Sequence, residues 1–109
     1  GQVVANPDVL GNWKVLTAVA AIEDFDPTRK TGNDRNPLFS EITFQANGRT
    51  KHPTLIWSGD TLMDLNQYQA LKIVARTLGG TRYLFVEAGG FGTRKKPGWK
   101  PKLLVLARD

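Results

Sequence analysis

The stretch GNWKVL at residues 11–16 and the stretch LLVLAR at residues 103–108 decide the fold between them. The first opens a strand-like run on a glycine and a tryptophan. The second closes the chain on a single arginine, Arg108. From Trp13 onward, Trp13, Val15, Thr17 and Val19 share one face at a period of two, and Leu16, Ala18 and Ala20 share the other. The β-branched residues favour a long strand over a helix. An indole on a first strand and a guanidinium on a last one can stack by cation–π attraction only if the two strands are neighbours. That condition is met when a sheet closes on itself.

Between these ends the chain is punctuated as a meander. Residues 26–37, DPTRKTGNDRNP, are polar and rich in turn formers, hence a loop. In LFSEITFQANGRTKHPTLIW, residues 38–57, Asn47-Gly48 separates two alternating runs and predicts a hairpin with a type I′ turn. Residues 58–60, SGD, turn the chain again, and TLMDL is a short strand. ALKIVAR and RYLFVEA form a second hairpin about Leu78-Gly79-Gly80. KLLVLAR is the last strand. The expectation is an all-β, antiparallel up-and-down meander of seven to eight strands closed into a small barrel, which removes exposed sheet edges. It is one domain over residues 1–109, with residues 1–10 as a lead-in whose Pro7 and Asp8 suit a turn or brief helical start.

Composition narrows the chemistry. The absence of cysteine excludes disulfides, thiolate metal sites and thiol nucleophiles. The single histidine, His52, has no second histidine to join it in a metal or triad arrangement and reads as a surface or strand-edge residue. Glu23, Asp24 and Asp26 are close in sequence, but Arg29 stands where a calcium loop needs glycine, so they read as a solvated strand end. Residues 89–92, GGFG, are followed by no helix and read as a kink at a barrel rim. No enzyme, cofactor or metal is expected. No apolar run approaches the ~18 residues of a membrane span.

The net charge of +5 comes from 15 basic and 10 acidic residues, and residues 93–102, TRKKPGWKPK, hold five of the basic ones and no acid. The rest of the chain is therefore neutral. That one segment, with Trp99, is the only argument for nucleic acid or an anionic membrane surface, and solvation is the plainer reading.

Gly11-x-Trp13 with Arg108 resembles the lipocalin and calycin barrels. A wider set of motifs is similar to a small bacterial lipocalin-like domain of unassigned function, found alone or appended to membrane sensor proteins. The motifs are EDFDP at 23–27, ITFQANG at 42–48, WSGDTLM at 57–63, YLFVEAG at 83–89 and GWKPKLLVLAR at 98–108. Ala88 follows the glutamate of YLFVE where the family has an aromatic. The resemblance implies that Trp13 plugs a closed end with Arg108 packed over its ring. It also implies a non-enzymatic module that binds or senses a small, mostly apolar ligand. The expected setting is extracytoplasmic, with an export signal trimmed before Gly1, and the expected partner beyond the ligand is another protein or an upstream membrane region.

Candidate ligand-binding residues are Trp57, Tyr83 and Glu87. Tyr83, Phe85 and Glu87 share one face of a strand, and Leu84 and Val86 share the other. Period two alone does not choose a face. The expectation adopted is that the Tyr83 face points inward, with Glu87 near a mouth and paired with Arg76, Lys72 or a ligand's polar head. The alternative function is a protein-interaction or structural barrel whose interior is filled by Phe39, Ile42, Phe44, Trp57, Leu62, Ile73, Phe85, Leu104 and Leu106, with no ligand.

Overall fold

A computed structural model describes residues 3–29, 38–88 and 102–109. It contains seven strands: β1 (Gly11–Val19), β2 (Glu41–Phe44), β3 (Leu55–Ser58), β4 (Thr61–Asp64), β5 (Gln69–Leu78), β6 (Thr81–Ala88) and β7 (Lys102–Arg108). Every pairing is antiparallel, and the sheet order is β2-β1-β7-β6-β5-β4-β3. The first strand thus lies beside the last, as an up-and-down barrel requires.

The two ends of the sheet, β2 and β3, meet across residues 48–50. The Gln45 amide donates to the Arg49 carbonyl at 2.9 Å, and the Trp57 amide donates to the Gly48 carbonyl at 2.9 Å. Arg49 also bridges Ile56. These few bonds zip both edges and leave a nearly closed barrel. The turn that makes this possible is not the type I′ turn expected from Asn47-Gly48. Gly48 donates to the Gln45 carbonyl, Asn47 Oδ1 accepts from the Arg49 amide, and only Gly48 of the pair has positive φ, at 87°. This is the pattern of a type I turn followed by a left-handed glycine that adds a bulge. A second turn over residues 51–54, with Lys51 at φ 68° and the Leu55 amide donating to the His52 carbonyl at 3.1 Å, reverses the chain again, so β3 begins at Leu55 and lies against residues 48–49.

One core fills the interior. Trp13, Phe39, Ile42, Phe44, Leu55, Trp57, Leu62, Leu71, Ile73, Leu84, Val86, Leu104 and Leu106 form a single cluster drawn from all seven strands. A second, smaller cluster lies on the outer face, where the segment around the 3-10 turn Ile22–Asp24 folds over the sheet. There Phe25 meets the edges of Tyr83 and Phe85 with ring centroids 5.0 and 5.9 Å apart.

Two sequence expectations are corrected here. Along β1 the shared face of Trp13, Val15, Thr17 and Val19 does not run the whole strand. A bulge between Val15 and Thr17 shifts the alternation by one residue, so Ala18 turns toward the core and Val19 toward the outer cluster. Along β6 the face assignment is inverted. Leu84 and Val86 point inward, and Tyr83 and Phe85 point outward beneath Phe25. Both faces of β6 are covered, so both are apolar, and alternation carried no direction.

The lead-in is also more than a connector. The Val4 carbonyl accepts from the Gly59 amide at 2.8 Å, and the Val4 amide donates to Ser58 Oγ. Asn6 caps a short turn ahead of Val9 and Leu10, and Asp8 pairs with Arg82 on β6. The segment therefore crosses one end of the barrel as a floor, from the β3–β4 turn to β6, and Val9 is buried beneath it at 1% exposure.

Candidate functional site

The floor explains the opening motif. Trp13 and Arg108 are register partners on β1 and β7. The indole Nε1 donates to the Val9 carbonyl at 2.6 Å, and the Arg108 guanidinium lies 4.4 Å from the ring centroid. Arg108 also donates to the Leu10 carbonyl at 2.6 Å. Gly11 has φ 116°, and a Cβ placed there would sit 2.7 Å from the Arg108 guanidinium nitrogen. Gly-x-Trp is thus the sequence that lets an arginine fold over the indole. This pair closes the barrel at the floor.

The opposite end carries a candidate site. A cavity of about 250 Å³ is lined by Leu38, the 52–55 stretch, Asp64, Asn66 and Gln67. Its position follows from three local features. The Thr50 hydroxyl, fully buried, donates to the Leu55 carbonyl at 2.9 Å and so pins the loop that leads into β3. The Leu65 amide donates to the Thr54 carbonyl at 2.8 Å and ties the β4–β5 turn to that loop. Leu55 and Asp64 are register partners on β3 and β4, and both point inward. Asp64 is only 3% exposed, and its Oδ1 accepts from the amides of Asn66 and Gln67 at 2.9 and 3.1 Å. Leucines thus form the floor of the cavity, and a carboxylate and amides form its wall.

His52 borders this cavity and two larger neighbouring depressions, one of about 350 Å³ that reaches Trp13 and Ile42 and one of about 530 Å³ that reaches Arg49 and Ile56. It is half-buried, its Nε2 is 2.8 Å from the Glu41 carbonyl, and its ring lies 5.9 Å from Phe39. It therefore spans the seam between β2 and the loop before β3, in keeping with a strand-edge role.

The sequence-predicted ligand residues are not brought together. Trp57 lies in the core, where Nε1 donates to the Gln45 carbonyl at 2.8 Å and the ring meets Phe44 at 5.3 Å, edge to face. Tyr83 belongs to the outer cluster. Glu87, two residues beyond Phe85 on β6, lies half-buried on that outer side, away from the core, and forms no ion pair with Lys72, Arg76 or any other described residue. The pocket wall drawn from Tyr83 and Glu87 is therefore withdrawn. Among the described residues no cluster of histidine and carboxylates has the makings of a metal site. No helix among them is long and apolar enough to cross a membrane. The GGFG stretch and the basic segment with Trp99 lie outside the described residues, apart from Lys102 at the start of β7.

Asp64 was missed because TLMDL was read only as a strand. Its alternation held the signal: Leu62 and Asp64 share a face, so an inward Leu62 carries an acid inward with it. No family model, curated protein or solved structure matches the chain.

Proposed function

We propose that the protein is a non-enzymatic binding module that takes a small ligand at the far end of the barrel, against Leu55 and Asp64. The observation that carries this reading is the cavity there, which combines an apolar floor with a few convergent polar groups. The deep interior is not the place for a ligand, because Trp13, Trp57, Phe44 and Phe85 belong to the largest fully buried side chains and the inward ones fill the barrel from wall to wall. The likeness of Gly11-x-Trp13 and Arg108 to lipocalin-like closure belongs to the same reading. So does an extracytoplasmic setting in which the module serves a sensor or carrier.

Native mass spectrometry of the purified protein, followed by amide chemical-shift mapping with whatever small molecule is released, tests it. The expected perturbations fall on Leu55, Asp64, Asn66 and Gln67. Perturbations confined to the outer surface, or none with any small molecule, overturn it.

A second reading is a filled barrel that serves as a protein-interaction domain. It is favoured by the exposed Ile56, Leu65 and Tyr68, of which Tyr68 is 91% exposed at the tip of the β4–β5 turn with φ 53°. Replacing Leu65 and Tyr68 with serine leaves small-molecule binding intact under the first reading and abolishes partner binding under the second.

A further inference from the structure

We propose that the far-end pocket selects small organic cations, a primary ammonium on a compact apolar body, with Asp64 as the counter-ion. This rests on the reading above that a small ligand binds there. Asp64 is the one buried carboxylate among the described residues, and no lysine, arginine or histidine among them is buried. Its structural duty is to cap the β4–β5 turn, and both bonds of that duty fall on Oδ1. An asparagine caps such a turn equally well through the same oxygen. The turn therefore explains an oxygen acceptor and leaves the negative charge unexplained.

A buried carboxylate is costly unless it is hydrogen-bonded and paired. The two backbone amides offset part of that cost, and no ion pair with a described residue supplies the rest. Oδ2 carries no bond to another described residue, and the carboxylate lines the cavity. An ionised carboxylate only accepts, so the ligand group that suits it is a donor, and a cationic donor suits it best.

The rest of the lining agrees. Leu38, Pro53 and Leu55 offer apolar contact to a ligand body, and the side-chain oxygens of Thr54, Asn66 and Gln67 offer further acceptors to an ammonium. Among the described residues no lysine or arginine lines this cavity, whereas Lys51 lines both neighbouring depressions. The volume of about 250 Å³ suits a body no larger than a single phenyl ring with a short arm.

Calorimetric titration at neutral pH with 2-phenylethylammonium, 2-phenylethanol and 3-phenylpropionate tests this on the full chain. The ammonium is expected to bind at least about tenfold more tightly than the alcohol, and the carboxylate least of all. Asp64→Asn is expected to keep the melting temperature close to the wild-type value, because Oδ1 is retained, and to bring the ammonium down to the level of the alcohol. Thr54→Trp, at an exposed position on the pocket wall, is expected to abolish binding of both, and it serves as the control should Asp64→Asn unfold. Equal binding of ammonium and alcohol by the wild type, or a folded Asp64→Asn protein that keeps its preference for the ammonium, overturns the cation assignment and leaves the binding-module reading in place. No binding by any of the three probes overturns both.

Discussion

Arg108 lies over the indole of Trp13 from the neighbouring strand, with 4.4 Å between the guanidinium carbon and the ring centroid. The contact joins the last strand to the first, and the Leu10 and Val9 carbonyls bind the two side chains from below. Trp13→Ala removes a buried aromatic at 1% exposure and is expected to cost about 3–5 kcal/mol. Arg108→Ala loses an exposed stacking contact and a charged hydrogen bond, about 2 kcal/mol together. Arg108→Lys falls between Arg108→Ala and wild type, because an ammonium cannot stack and reach Leu10 at once. Urea denaturation midpoints check all three; a loss under 1 kcal/mol for Trp13→Ala contradicts its place in the core.

Gly11 supplies a sharper test of the same geometry. Gly11→Ala meets both an unfavourable φ and the Arg108 guanidinium. The expected cost is about 1–3 kcal/mol. Only the steric part disappears when Arg108 is shortened, so a double-mutant cycle with Arg108→Ala is expected to show positive coupling. Strict additivity would place the arginine elsewhere.

How far the fold was legible depended on whether one face of a strand was visibly the wet one. For β2 and β3 it was: Glu41 and Thr43 alternate with Ile42 and Phe44, and the inward pair reads directly. For β6 it was not, because Phe25, far away in sequence, covers the outer side and makes Tyr83 and Phe85 as apolar as Leu84 and Val86. The candidate site suffered from that inversion, since Tyr83 and Glu87 were chosen from the wrong side. In β1 a one-residue bulge, invisible in composition, redirected Val19. Asp64 was legible in principle through its spacing from Leu62, but a lone acid at a strand end looks solvated until the loop from Thr50 to Leu55 is seen to close over it.

Phe25 measures the worth of the outer cover. It is 7% exposed and holds the edges of two aromatics that otherwise face water. Phe25→Ala is expected to destabilise by about 3 kcal/mol, at the lower end for a buried phenylalanine. Amide exchange of β6 and β7 is expected to accelerate less than that of the 21–29 segment. Uniform acceleration would mean that the cover and the barrel form one cooperative unit.

Asp26 gives a pH signature in the same segment. The Thr28 hydroxyl and amide both donate to its Oδ1, at 2.6 and 2.9 Å, and hold the carboxyl below the usual aspartate range, with Arg29 adding to the effect. A carboxyl lowered in the folded state adds stability above its unfolded value, and that stability fades as pH falls through the folded one. The Asp26 side chain is exposed, so the effect belongs to local turn order. Carbon-detected titration is expected to show Asp26 ionising below the usual aspartate range. Thr28→Val, which removes the hydroxyl donor, is expected to move it upward, and an unchanged midpoint refutes the bond.

The floor segment predicts a graded response to truncation. Removing residues 1–5 deletes the Val4 bonds to Ser58 and Gly59, at the exposed outer part of the strap. That is expected to cost about 1 kcal/mol. Removing residues 1–9 also deletes Val9, which is buried, and leaves the Trp13 Nε1 hydrogen without its acceptor. Burial of a valine contributes ~1.5–3 kcal/mol, and an orphaned buried donor costs ~1–3 kcal/mol, so the second truncation is expected to cost about 4 kcal/mol. It also frees Arg82 from Asp8, an exposed pair worth little by itself. The order of the two effects is the test. A large loss already at the shorter truncation would shift the floor's anchor from Val9 to the Val4 bonds. No loss at the longer one would mean that the barrel closes without a floor, with Trp13 satisfied by some other acceptor.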